Sequence, residues 1–128
     1  MDVKKLGKIP DGGGWRAHGR PNAPRDRKTR VGYDYVHSMV DDHSRLAVAS
    51  HVAHSETSQA ALAVMAKGIA AHGVPQRLLT DNGVALNPSR RGWEGQLVAY
   101  VSALGVAAIT GKPEKPTTQG KNERFHQT

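Results

Sequence analysis

The chain has 128 residues, 18 Lys and Arg against 11 Asp and Glu, a formal charge of +7, and no cysteine. That length suits one hydrophobic core rather than two, and the missing thiols exclude disulfides and Cys-based zinc sites, leaving oxygen or imidazole ligands and therefore hard cations. The positive surplus favours nucleic acid through counterion release, while the lack of an apolar run of about 18 residues or a signal-peptide pattern predicts a soluble, cytoplasmic chain with no membrane contact.

Asp2 to Leu6 reads as a first strand with almost nothing before its acid. Residues 7–30 then carry Pro10, Gly12, Gly13, Gly14, Pro21 and Pro24 among Arg16, Arg20, Arg25, Arg27, Lys28 and Arg30, with no apolar period. This predicts a long, basic, flexible loop. Loops beyond about 12 to 15 residues are usually functional or disordered; a solvated linker and a phosphate-contacting loop both fit, because phosphate contacts need only cations that can reach them.

Tyr33 to Val40 and Leu46 to Val52 have strand composition, and Asp41-Asp42-His43-Ser44-Arg45 between them predicts a hairpin turn. Asp41 and Asp42 are adjacent carboxylates and hence rival metal ligands. Neighbours on a strand point to opposite faces, however, and a turn is where such residues ordinarily lie. Thr57 is the expected N-cap of a helix through His72, with Leu62, Met65 and Ile69 on one face, Gly73 as its stop and Pro75 beyond. Val74 to Thr80 is the next strand.

Asn87 to Gly92 is a loop, after which Trp93, Leu97, Tyr100, Val101 and Leu104 share a helical face before Gly105. Val106 to Thr110 is a short strand, Gly111 to Pro116 a loop in which two prolines deny helix, and a last helix starts near Thr118. A helix that short is marginal by itself. The expectation is one domain, 1–128, cut at both ends.

Three acids fall on separate predicted elements: Asp2 on the first strand, Asp81 at a strand exit, and Glu123 on the final helix. With them stand four motifs: Asp2-Val3-Lys4, Val40-Asp41-Asp42-His43-Ser44-Arg45, Leu79-Thr80-Asp81-Asn82-Gly83, and Gln119-Gly120-Lys121-Asn122-Glu123-Arg124-Phe125-His126. Jointly these resemble the catalytic core of DDE transposases and retroviral-type integrases, most closely the bacterial insertion-sequence transposases with an integrase core. The interval between Asp81 and Glu123 is longer than in the family's usual arrangement, and the extra residues fall in the loop at 87–93, where an insertion costs little.

The resemblance implies a ribonuclease H-like α/β fold, a mixed five-stranded sheet with helices on its faces. It implies that Asp2, Asp81 and Glu123 are the catalytic residues and hold two Mg2+ (or Mn2+) ions. It further implies that Lys4, Gln119, Lys121, Asn122 and Arg124 contact DNA, that transposon ends and target DNA are the partners, and that the full-length protein is a homo-oligomer associated with a bacterial nucleoid. The chemistry has an independent rationale. In-line attack on a phosphodiester needs charge neutralised on the entering and leaving oxygens, which two divalent ions about 3.5 to 4 Å apart provide. Mg2+ keeps several waters, so two or three acids suffice to hold it.

In a helix from residue 118, Gln119 and Glu123 share a face at i and i+4, and Gln119 and Asn122 at i and i+3. For Lys121 and Arg124 a solvated basic face fits as well as a DNA grip. His51 and His54 have i and i+3 spacing, but nothing nearby completes a zinc set; His43 and His126 lie closer to the proposed chemistry by family position. Two other readings stand beside the enzyme. One is an inactive transposase remnant that only binds nucleic acid. The other is a cellular ribonuclease H or Holliday-type nuclease, against which the run from Gln119 to Arg124 speaks.

Overall fold

The computed structural model describes residues 1–19, 31–80, 86 and 94–110. Three strands, β1 (Asp2–Gly7), β2 (Tyr33–Val40) and β3 (Ala47–Ala53), form one antiparallel sheet in sequence order. β1 pairs with β2 from Asp2 opposite Ser38 to Gly7 opposite Tyr33, and β2 pairs with β3 from Tyr35 opposite Ala53 to Val40 opposite Ala47. A register shift between Met39 and Val40 marks the approach to the turn.

That turn is built as its composition predicts. Asp41 Oδ2 accepts from the Ser44 backbone N–H and from Ser44 Oγ, both at 2.7 Å, an Asx-type closure that competes well with extended backbone. Asp41 and Leu46 close the hairpin at 2.9 Å, and Arg45 takes the left-handed conformation at φ 65°. Asp42 lies 3.5 Å from Arg45 in an exposed ion pair. Both carboxylates are thus engaged in turn chemistry.

Helix α1 (Trp15–His18) is a single turn inside the segment expected to be structureless, and the His18 Nε2 donates to the Gly12 carbonyl at 2.6 Å. Lys8 N–H donates to Gly32 O at 3.1 Å, so the excursion leaves and re-enters at the end of the β1–β2 ladder. Residues 20–30 of that loop lie outside the described residues.

Helix α2 (Ser58–His72) begins where expected: Thr57 Oγ1 accepts from Ala60 N–H at 3.2 Å, satisfying one orphan donor of the first turn. Gly73, at φ 85°, ends it, its N–H donating to Ile69 O. Its buried face is Ala60, Ala61, Val64, Met65 and Gly68. The expected face of Leu62, Met65 and Ile69 is therefore rotated; Met65 is fully buried, while Leu62 and Ile69 are only partly covered. Small residues explain the rotation. Gly68 lets the helix descend onto the sheet, where a Cβ would strike Met39 Cε and stand 3.2 Å from Val48 Cγ1.

Strands β4 (Arg77–Thr80) and β5 (Ala107–Thr110) pair in parallel, Arg77 opposite Ala107 through Thr80 opposite Thr110, and helix α3 (Gln96–Ala103) connects back to β5. α3 closes with a Schellman arrangement: Gly105 N–H donates to Ser102 O and Val106 N–H to Val101 O, each at 2.9 Å. Leu97 and Val101 are fully buried, whereas Tyr100 and Leu104, expected on the same apolar face, remain 38% and 40% exposed. Trp93 is outside the described residues.

Met1, Met39, Met65, Leu78, Leu86, Leu97 and Val101 belong to one core cluster, so both sheets and two helices share a single interior. The five strands nevertheless form two ladders rather than the one mixed sheet expected. A ladder needs successive bonds. The start of β1 and the end of β4 are joined by the Met1 ammonium, which donates to Leu79 O at 2.6 Å.

Candidate catalytic carboxylate site

Strand alternation decides which way Asp2 faces. Met39 and its cross-strand partner Ala49 meet Gly68 of α2, so Val3 and Lys5, opposite His37 and Tyr35 on alternate positions of β2, share that face of the first sheet. Asp2 and Lys4 take the opposite face. There Asp2 stands opposite the buried Ser38, which stands opposite Ser50, making a polar row across three strands. Asp2 Oδ1 accepts from Val3 N–H at 2.8 Å.

The bond from Met1 to Leu79 joins positions 78 apart and sets the start of β1 beside the end of β4. Thr80, the last residue of β4, is buried, and Asp81 follows it in sequence. Asp81, Gln119, Lys121, Asn122, Glu123 and Arg124 lie outside the described residues, so Asp2 and Lys4 are the expected site residues whose surroundings the structure describes. A carboxylate-only donor set suits a hard divalent cation such as Mg2+. Among the described residues no three His, Asp or Glu side chains gather into a metal-binding group.

A second polar cluster was not visible in the sequence. Asp34 Oδ1 lies 2.9 Å from His54 Nδ1 and 3.3 Å from Lys8 Nζ. Hydrogen bonding to His54 holds the Asp34 carboxyl below its ordinary range, aided by Lys8 and opposed by partial desolvation. The antiparallel register that sets Tyr35 opposite Ala53 brings these two together; their separation of twenty positions carries no local signal. The His51–His54 pair is consequently divided: His54 serves Asp34, and His51 stands opposite His37.

His37 is fully buried, with neither ring nitrogen in hydrogen-bonding geometry. Burial pushes its pKa down, against a pull from the Ser55 backbone and with a smaller push from His51. Lys5 Nζ sits 4.0 Å from the Tyr33 ring centroid and 5.9 Å from that of Tyr35, a cation–π arrangement on the α2 face.

The antiparallel three-stranded ladder and the parallel pair thus share one α/β core, with Asp2 at the start of the first strand and the end of the fourth strand beside it. Residues 1–116 match the integrase core domain, and the chain belongs to that family. A chain from the simian T-cell lymphotropic virus intasome, solved in complex with PP2A regulatory subunit B56 gamma, is similar at 27% identity and TM-score 0.62, over 75% of this chain and 32% of that one. The catalytic core domain of BIV integrase shares the fold at 24% identity and TM-score 0.56, over 73% of this chain and 57% of that one. The chain thus spans about a third of the intasome chain's length and somewhat over half of the BIV one. Among the described residues no helix is long and apolar enough to cross a membrane.

Proposed function

We propose that this chain is the catalytic core of a DNA transposase of the insertion-sequence type, acting in divalent-metal-dependent cleavage of a phosphodiester and transfer of the DNA strand. The observation that carries the reading is the Met1–Leu79 bond, which sets the strand of Asp2 against the strand that leads into Asp81. Asp2, Asp81 and Glu123 are the proposed ligands for two Mg2+ or Mn2+ ions. When bound, such ions neutralise charge on the attacked phosphate and lower the pKa of the attacking hydroxyl.

The chain's own residues supply position. Asp2 is anchored by the Val3 amide and backed by Ser38, so its carboxylate is held on a rigid strand. Lys4, on the same face two residues along, and Gln119, Lys121, Asn122 and Arg124 around Glu123 are the proposed DNA contacts. DNA carrying transposon ends and target is the proposed partner class, with a homo-oligomer acting in a bacterial, nucleoid-associated setting. The chain is proposed to be part of a longer protein.

The test is nicking and strand transfer on a labelled duplex carrying the element's ends, with Mg2+ or Mn2+, comparing the parent with Asp2→Asn, Asp81→Asn and Glu123→Gln. Metal-dependent product from the parent, reduced by a factor of about 100 or more in each variant, is the expected result. Undiminished activity in any variant removes that residue from the site. DNA binding without product in the parent favours the inactive remnant instead.

A further inference from the structure

We propose that His37 and His51, facing each other across β2 and β3, form a two-imidazole site for a transition-metal cation of the Zn2+, Cu2+ or Ni2+ class, separate from the carboxylate site of Asp2. Both side chains lie on the α2 face of the first sheet: His37 is two residues from Met39 and His51 two from Ala49, and that pair meets Gly68. Asp2 lies on the other face. Directly opposed residues of an antiparallel pair hold their Cβ atoms about 4.5–5.5 Å apart. Across that span two imidazoles can converge on one ion, each nitrogen about 2.0–2.1 Å from it.

The buried member of the pair is short of a partner. His37 is fully buried and neither of its ring nitrogens makes a hydrogen bond, whereas a buried polar group without one is rare and points to a ligand, an ion or a water. His51 is near enough to act on the ring, since its charge opposes that of His37. Burial, the larger influence, keeps His37 uncharged, and the neutral imidazole is the form that binds a metal. Imidazole suits Zn2+, Cu2+ and Ni2+, while Mg2+ takes oxygen. The two faces of the sheet thus sort cations by the donors they offer.

Access is from the β3 side. His51 is exposed and stands on the terminal strand of the β1-β2-β3 ladder, so rotation of its ring admits an ion to His37. The cleft of about 580 Å³ between the two ladders is lined by neither histidine. Among the described residues no third His, Asp or Glu joins the pair, which leaves the remaining coordination positions to water or to a donor from another molecule. A bound ion ties β2 to β3 one residue from Ser38, the position opposite Asp2.

The experiment titrates the full chain with Zn2+ by calorimetry and with Cu2+ by electron paramagnetic resonance and site-resolved NMR, comparing the parent with His51→Ala, His37→Leu and, as control, His54→Ala. One Zn2+ per chain is expected. Binding should weaken at least about tenfold in His51→Ala and His37→Leu, because even an outer-shell partner is worth that much, and should be unchanged in His54→Ala. The Cu2+ spectrum of the parent should show two nitrogen donors, with paramagnetic broadening centred on residues 37 and 51. No saturable Zn2+ binding by the parent, undiminished binding by His51→Ala, broadening centred elsewhere, or displacement of Zn2+ by excess Mg2+ overturns the proposal. His51→Ala alters an exposed side chain, so it decides the question whatever His37→Leu does to folding. None of these readouts depends on DNA or strand transfer, so catalytic inactivity of the chain leaves the inference standing.

Discussion

Gly68 on α2 presses against Met39 on β2 so closely that a Cβ at position 68 would collide with the methionine Cε. The contact sets the depth at which the helix lies on the first sheet. Gly68→Ala gains about 1 kcal/mol of helix propensity and loses a similar amount in moving a flexible methionine end and crowding Val48, so its stability should stay within about 1 kcal/mol of the parent. Gly68→Leu has no such escape and should destabilise by roughly 1–3 kcal/mol. Urea unfolding midpoints distinguish the two.

Thr57 closes the first turn of α2 through its hydroxyl. Thr57→Ala should cost about 1 kcal/mol and Thr57→Ser nearly nothing, because serine caps as well. A loss in the serine variant equal to that in the alanine one would show that the hydroxyl is not the source of the effect. Chemical denaturation with an unchanged m-value is the appropriate measure.

His37 is buried uncharged, its pKa pushed below the ordinary 6.5 by desolvation. The unfolded chain then binds a proton that the folded chain refuses, so the His37 contribution is present above pH 6.5 and falls away as pH drops toward the lowered folded value. His51, opposite it on β3, adds repulsion once charged. His37→Leu removes two unsatisfied nitrogens and should flatten the Tm profile between pH 7.5 and 5.5, a window of about one unit on either side of the reference histidine value. A profile as steep as the parent's in that variant would rule His37 out as the cause.

Asp34 has the opposite chemistry and a lower window. Its pKa is depressed chiefly by the hydrogen bond to His54, so its contribution is complete above the ordinary value of 3.8 and is lost as pH falls through the lowered folded one. The stability gap between the parent and Asp34→Asn should therefore be constant above about pH 5 and narrow below 3.8. Equilibrium unfolding at a series of acidic pH values reads this out.

Lys121 and Arg124 flank Glu123 and are proposed to contact phosphate. Replacing either with Ala should weaken binding to duplexes of any sequence and reduce the slope of log affinity against log salt by about 1. Fluorescence anisotropy over a range of salt concentrations gives the slope. An unchanged slope returns that residue to the solvated basic face.

The two elements with the strongest local signals were legible without coordinates. Asp41 to Arg45 reads as a turn because Asp and Ser side chains close on nearby backbone, and Thr57 to Gly73 reads as a capped helix because capping is a property of four or five consecutive residues. Family membership was legible in the same way, from short motifs. What local pattern could not decide was orientation. Leu62 and Ile69 lost the centre of the α2 interface to Ala61 and Gly68, since the depth of packing depends on what the opposing sheet offers, here Met39 and Val48. Tyr100 and Leu104 stayed half exposed for the related reason that periodicity marks an apolar stripe but not how much of it finds a partner.

Sequence alone determined that this is a basic, cysteine-free α/β chain of the integrase core kind, with Asp2 on its first strand, because composition, capping and motif spacing are all local or additive. Tertiary structure alone decided that β1 meets β4 through Met1 and Leu79, that Asp34 and His54 share a proton-sensitive contact, and that the five strands divide into two ladders around a cleft. Those are consequences of register and of packing between distant segments. A one-residue shift in register would send every side chain of a strand to the other face, and no window of neighbouring residues records which register wins.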